Sequence, residues 1–374
     1  MKLQVLQENL ARALILASRF TSVKAQLPVL SNILISAKKT KLLISSTNLE
    51  NSISFSLGAQ IKEEGEITVP AKTITDLVSN LSFGPLNLES EKEHLKITAQ
   101  KFSSRVSGMN PADFPSVPQS INKAESLILP KDEFIRALSQ VIFSVSLDET
   151  RPILTGVLFV FQKDSLLLVA TDGFRLSQKK IHLNKASKNQ KIVLPKNILL
   201  EISRLGETDD EIYLQNREKE NQALFGAGDV VFSSRVLEGE FPDYDKIIPK
   251  TSVFKIRLDK EDLLRAIKLS SVFARDSANI VKINLLKDAI KISSESTQSG
   301  SYETELDAKV EGFDSGLSKS FEIAFNFRFL EEFVRTVVGE EVALDFTDPS
   351  SPGVFTDPKD ADYLHLIMPV KIQV

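Results

Sequence analysis

The side chains best suited to chemistry are spread thinly along these 374 residues. Three histidines, His94, His182 and His365, lie far apart and lack metal-ligand spacing. They are read as structural residues. Cysteine is absent, which removes disulfides, thiolate metal sites and a cysteine nucleophile. Gly226-Ala227-Gly228 sits between two strand-like stretches and predicts a hairpin turn rather than a dinucleotide loop. The sequence has no G-x-x-x-x-G-K-[ST] phosphate loop and no serine in a G-x-S-x-G elbow. Asp209-Asp210-Glu211 and the trio Asp357, Asp360 and Asp362 are acidic enough to attract a cation, but each reads as a solvated loop. No catalytic residue, metal or cofactor is expected. Catalytic groups can be dispersed, so this absence gains weight only beside a second property, internal repetition.

Phe-Ser-Ser-Arg-Val occurs at 102–106 and again at 232–236. Each copy is soon followed by a related turn, Ala112-Asp113-Phe114-Pro115 or Glu240-Phe241-Pro242-Asp243-Tyr244. Other landmarks recur at similar offsets. Thr68-Val69-Pro70-Ala71-Lys72 and Val193-Leu194-Pro195-Lys196-Asn197 each lead from a strand into a short helix, over 73–81 and 198–205. Ala324-Phe325-Asn326-Phe327-Arg328 is a weaker third copy, leading into 329–338. Leu42–Asn48, Leu167–Gly173 and Ile290–Glu295 form another set of strand ends. A helix opens each unit, over 7–20, 131–143 and 260–270, and Asp259 is placed to cap the last. Stretches such as Leu95–Ala99 and Val253–Leu258 alternate apolar and polar residues, as half-buried antiparallel strands do. Self-similarity of this kind decides fold class before anything else. The expectation is an α+β chain of three units, 1–122, 123–251 and 252–374, each near ordinary domain size.

Composition agrees with a globular protein, 42% hydrophobic and 26% charged. No run approaches the ~18 apolar residues that a membrane span needs. Met1-Lys2-Leu3-Gln4-Val5 has no signal-peptide layout, so a cytoplasmic setting and no membrane partner are expected. A net charge of −4 argues against an all-over nucleic-acid coat but permits a basic strip. The proposed helices carry Arg12, Arg19, Lys72, Arg136, Lys196, Arg204, Arg265, Lys268, Arg328 and Arg335. Such residues are ordinary on polar helix faces. They become functional if the helices share one surface, where they would contact duplex phosphates without reading bases.

Four motifs carry a resemblance. Ala170-Thr171-Asp172-Gly173-Phe174-Arg175-Leu176 resembles the A-T-D-G-[HY]-R-L signature of bacterial sliding clamps, the β subunit of DNA polymerase III. Glu238–Tyr244 is similar to that family's G-x-[FY]-P-[DN]-Y, Leu27-Pro28-Val29-Leu30-Ser31-Asn32 to its L-P-[IV]-L-x-N, and Leu366–Val370 to its closing V-M-P-[MV]. The resemblance covers the whole chain. It implies a non-enzymatic processivity subunit of three repeated clamp-like domains, each with two helices packed on antiparallel sheets, forming a ring as a dimer. Duplex DNA would thread the ring. The partners implied are a second copy of the chain, the replicative DNA polymerase, a clamp loader, and repair polymerases and other proteins carrying a clamp-binding motif.

The resemblance also implies a hydrophobic peptide pocket. Carried over residue by residue, it uses Arg151, Leu154, Thr171, Gly173, Phe174, Arg175, Leu176, Pro242 and Ile247, with Asn326, Phe329, Leu366, Met368, Pro369 and Val370. Arg151, Arg175 and Asn326 are the implied polar contacts at its edge. Lys24, Lys72, Lys196 and Arg328 are the implied DNA contacts. The acidic loop Leu147-Asp148-Glu149-Thr150 departs from the family pattern and is left out. Val272 and Phe273 fit the third-domain side of the dimer interface, whereas the first-domain counterpart falls near the polar Ser104. The alternatives are a clamp-like peptide-binding scaffold without a replication role and a hydrolase with a dispersed site.

Overall fold

The computed structural model describes residues 1–22, 27–39, 41–183, 189–205, 209–312 and 321–371. Lys24 lies outside them. Six α-helices are present in these residues: α1 (Gln7–Ser18), α2 (Ala71–Ser79), α3 (Lys131–Val141), α4 (Lys196–Ser203), α5 (Lys260–Ala274) and α6 (Phe327–Thr336). Each third of the chain follows one order: strand, helix, several strands, helix, three strands.

Local chemistry explains the helix starts. Pro70 and Pro195 are each the last residue of a strand and the residue that opens α2 or α4. Proline has no N–H to offer a ladder, and both strands lie at sheet edges, where that loss is tolerated. Asp259 Oδ1 accepts from Asp262 N at 2.9 Å to cap α5, as the sequence predicts. Asn326 Oδ1 does the same for α6, accepting from Arg328 N at 3.0 Å. In α6, Phe327, Leu330, Phe333 and Val334 recur at helical spacing and are all buried. The first helices end sooner than expected: α1 stops at Ser18, and the chain after α3 tightens into a 3₁₀ turn over Ile142–Ser144.

Contacts divide the chain into two compact units. One is 1–131 with 205–236, the other 132–204 with 237–374. The division cuts across the sequence repeat because strands are exchanged between repeats. In the first unit, one sheet has the order Gln60–Glu63, Lys2–Leu6, Pro85–Glu91, His94–Ala99, Phe102–Ser107. The other runs Leu127–Pro130, Glu211–Arg217, Gln222–Ala227, Val230–Arg235, Asn51–Gly58, Lys41–Thr47, Asn32–Lys38, Gly65–Pro70. Here a strand of the second repeat, Val230–Arg235, pairs antiparallel with Asn51–Gly58 of the first, with Phe232 opposite Ile53.

The second unit holds a single twelve-stranded sheet. Its order is Gln190–Pro195, Gly156–Phe161, Ser165–Thr171, Arg175–His182, Asp360–Ile367, Gly353–Asp357, Glu341–Phe346, Phe254–Asp259, Gly300–Glu311, Ala289–Ser296, Ile280–Leu285, Glu322–Asn326. The same exchange occurs: Asp360–Ile367, the last strand of the third repeat, pairs with Arg175–His182 of the second. The core over α5 and α6 is rich in phenylalanine, with Phe325, Phe333, Phe346 and Phe355 nearly or wholly inaccessible.

Candidate functional site

In the second unit the segment after Arg235 runs back over the sheet. Leu237 N donates to Val193 O at 2.8 Å. Gly156 permits the close approach, because a Cβ there would meet Leu194 O at 2.5 Å and Leu237 Cδ1 at 2.8 Å. Leu237, Phe241, Tyr244 and Ile248 then pack on Leu158, Val160, Val169, Leu176, Val193 and Leu366. The first repeat carries Ser36, Ser45, Ser52 and Thr68 where the second has Val160, Val169, Leu176 and Val193. All four hydroxyl residues are buried. An apolar sheet face under a returning chain therefore belongs to the second repeat, and a hydroxyl-lined face to the first.

A cavity of about 180 Å³ opens in this apolar layer. It is lined by Arg151, Leu154, Thr171, Gly173, Arg175, Leu176, Pro242, Ile247, Leu366 and Met368, all singled out from the sequence. Asp243, Tyr244 and Pro352 also line it, and sequence reasoning missed them. Phe174, Asn326, Phe329, Pro369 and Val370 are not among its lining residues. Phe174 stands beside it, 67% exposed, and Met368 N donates to Phe174 O at 2.8 Å. Asn326 is occupied as the cap of α6. Val370 N donates to Ala324 O at 2.8 Å, which ties the segment that follows Met368 to the edge strand.

One wall is a tightly bonded loop. Thr171 Oγ1 donates to Arg175 O at 2.6 Å and accepts from Gly173 N at 3.1 Å. Asp172 Oδ1 accepts from Phe174 N at 2.9 Å and Arg175 N at 3.0 Å. Gly173 has φ +91°, a conformation that favours glycine.

Arg175, expected at the pocket edge, lines the cavity and is also bonded inward. Its side chain is 8% exposed and spans three elements. Nε donates to Asp172 Oδ2 at 3.0 Å, Nη2 donates to Phe143 O at 2.7 Å, and Nη1 pairs with Glu332 on α6. Its guanidinium also lies 4.3 Å from the ring centre of Phe329 and 5.4 Å from that of Phe143. Each guanidinium nitrogen is bonded within the protein, so Arg175 braces the wall.

Beneath this wall lies His365, fully buried. Its Nδ1 is 2.7 Å from Ser177 Oγ, which is 2.7 Å from Ser144 Oγ. The ring stacks on Phe333 at 5.2 Å. Burial, and secondarily the Arg175 charge, hold His365 well below the usual imidazole range, so it is neutral. His182 is exposed on a strand, 3.1 Å from Asp362, and His94 sits in a hairpin. Among the described residues no cluster of His, Asp or Glu is placed to hold a metal ion, and no helix is long and apolar enough to cross a membrane.

Sheet edges form a second feature. The first Phe-Ser-Ser-Arg-Val copy lies in Phe102–Ser107, the outermost strand of the five-stranded sheet. Its counterpart Val230–Arg235 is paired on both sides. Phe232 is wholly buried against Phe20, with ring centres 5.8 Å apart, whereas Phe102 is half-exposed. Phe102, Ser104 and Val106, with Leu77 and Leu81 near α2, line an open groove of about 950 Å³. Lys72 lines it too, with Arg105. The repeated pentapeptide makes Phe102 the equivalent of Phe232, two residues from Ser104.

On the third repeat, Ala308–Glu311 pair with Lys255–Leu258, while 300–307 pair only with Ala289–Ser296 among the described residues. Val272, 58% exposed, and Phe273 lie on α5, and Phe273 stacks on Tyr302 at 6.4 Å. Of the basic residues read as DNA contacts, Lys72 and Arg328 are exposed and Lys196 is half-buried, each in the first turn of α2, α6 or α4.

Three repeats of paired helices on antiparallel sheet, with the last strands handed to the preceding repeat, define the sliding-clamp class of fold. Comparison with known proteins agrees along the chain. Family models described as the DNA polymerase III beta subunit match in order: the N-terminal domain at residues 1–118, the central domain at 128–243 and the C-terminal domain at 245–371. The Beta sliding clamp of Staphylococcus aureus is 28% identical over 364 residues, covering 94% of each chain. The DNA polymerase sliding clamp from Bacillus subtilis superposes with a TM-score of 0.93 at 26% identity, covering 100% of both chains. The beta subunit from Thermotoga maritima gives a TM-score of 0.90 at 25% identity with the same coverage. The chain belongs to the DNA polymerase III beta subunit family.

Proposed function

We propose that two copies of this chain close head to tail into a ring around duplex DNA and hold a replicative polymerase there. The observation that carries this reading is the pair of strand edges that, among the described residues, the repeat's own joining pattern leaves without a partner. Within the chain, the last strand of repeat two pairs with repeat one, and the last strand of repeat three with repeat two. Among the described residues, the last strand of repeat one, Phe102–Ser107, and residues 300–307 of repeat three have no such partner. Pairing them between two copies satisfies both ends at once. It gives six repeats, with domains bounded at 1–122, 123–251 and 252–374, related by a twofold axis.

Such a ring performs no chemistry of its own. Topological closure keeps it on DNA, and non-specific phosphate contacts let it slide. Lys24, Lys72, Lys196 and Arg328 are the contacts proposed. The setting is the cytoplasm, and a clamp loader opens the ring.

The cavity in the second unit is the docking site for short peptide segments of the polymerase, the loader and repair proteins. Its apolar lining suits leucine and aromatic anchors. Met368 lines the cavity and the exposed Phe174 is bonded to Met368 through the backbone, so Phe174→Ala with Met368→Ala is expected to weaken binding of acetyl-Gln-Leu-Asp-Leu-Phe by about tenfold or more, at roughly 1 kcal/mol or above for each truncated contact. Fluorescence titration checks the affinity and light scattering checks that the oligomer is unchanged. Unaltered affinity in the double variant refutes the assignment.

A further inference from the structure

Most of the polar side chains around the cavity are already committed. Thr171 Oγ1 bonds within its loop. Arg175 is bonded to Asp172, Glu332 and Phe143. Asp243 is paired with Lys246 Nζ at 2.7 Å. Tyr244 differs. It lines the cavity and is only 9% exposed, its ring edge-on to Phe241 at 6.3 Å. Among the described residues its hydroxyl has no hydrogen-bond partner, and its oxygen is not one of the polar atoms sealed from solvent. A cavity-lining ring nine-tenths buried, whose hydroxyl is neither bonded nor sealed, leaves that hydroxyl available to a ligand.

We propose that Tyr244 is a specificity-determining residue of this cavity, donating its O–H to a carbonyl oxygen of the bound peptide beside the side chain that fills the apolar space. The inference rests on the peptide-docking reading above. Burial, then Asp245 and Asp243, push the Tyr244 phenol up to about 12, so it keeps its proton across the physiological range. A hydrocarbon-only ligand would strand that hydroxyl away from water, which is unfavourable. A peptide brings the apolar group and the acceptor together, and a site built to bond a polar group discriminates against ligands that lack it.

The test uses Tyr244→Phe and acetyl-Gln-Leu-Asp-Leu-Phe as the probe. Removal of one neutral hydrogen bond is expected to weaken binding about three- to tenfold. The denaturant midpoint should be unchanged or higher, because the hydroxyl removed has no partner in the free protein. A loss of affinity without a loss of stability separates recognition from packing. Equal or tighter binding by Tyr244→Phe, with the wild-type chain binding normally, overturns this inference and leaves the docking reading standing. Failure of the wild-type chain to bind the probe overturns both.

Discussion

Phe273→Asp is expected to leave the chain monomeric at micromolar concentration. The argument starts from two contacts inside the chain. Where repeat two joins repeat one, Phe20 meets Phe232 at 5.8 Å. Where repeat three joins repeat two, Phe143 meets His365 at 5.3 Å. Phe20 lies thirteen residues after the start of α1 (20 − 7), Phe143 twelve after α3 (143 − 131), and Phe273 thirteen after α5 (273 − 260). Phe102 is the counterpart of Phe232 in the repeated pentapeptide. The third junction, made between two copies, should therefore place Phe273 against Phe102. Among the described residues Phe273 has the Tyr302 ring stacked on it, and Phe102 lies in an open groove.

A carboxylate at 273 would be buried against an aromatic ring without a partner. A cost of about 3 kcal/mol is typical of such burial. The ring has two identical interfaces, so the penalty enters twice, roughly four orders of magnitude in the dissociation constant. Light scattering should report twice the chain mass for the wild type and the single-chain mass for the variant. A dimer that survives Phe273→Asp would mean that another surface holds the two copies together.

Arg175→Ala is the second large effect. The substitution leaves Asp172 without its charge partner, and Asp172 is only 16% exposed. Glu332 is 44% exposed and loses less, because water screens it. Phe143 O also loses its donor. Removing one partner from a buried, bonded pair costs about 3 kcal/mol or more, and the guanidinium's contact with the Phe329 ring is lost as well. The loop 171–175 would no longer be fixed to α6, so the cavity wall should loosen and peptide affinity should fall by at least about tenfold, as loss of a preorganised contact implies. Denaturant unfolding and peptide titration measure the two effects. Arg175→Lys should recover only part of either, since an ammonium lacks the planar fork. A variant with native stability and native affinity would contradict the bracing role.

The elements were legible because each has a local cause. Alternation gave the strands, Asp259 gave the start of α5, and Pro70 and Pro195 marked the strand-to-helix junctions. The repeat was legible because short identical segments kept their order. What escaped was set by tertiary pairing. The ladder of Val230–Arg235 on Asn51–Gly58 joins residues about 180 positions apart, and no local pattern announces it. Arg175 was read as a contact at the pocket edge, since its partners Glu332 and Phe143 are remote in sequence. Tyr244 stands in the Glu238–Tyr244 motif, yet its place in the cavity depends on how the returning segment crosses the sheet. A signal for the cavity was present all the same. Val160, Val169, Leu176 and Val193 stand where the first repeat has hydroxyl residues, and that contrast marks the repeat with an apolar outer layer.

The central claim is that closure, and not affinity, holds the protein on DNA. The most direct measurement loads the protein onto nicked circular DNA with its clamp loader, removes the unbound fraction, and then cuts the circle once. A closed ring stays with the circle through a high-salt wash that screens phosphate contacts, and runs off the ends once the circle is linear. Release on linearisation is the result expected. Retention on the linear molecule, at the level seen on the circle, would contradict the topological account.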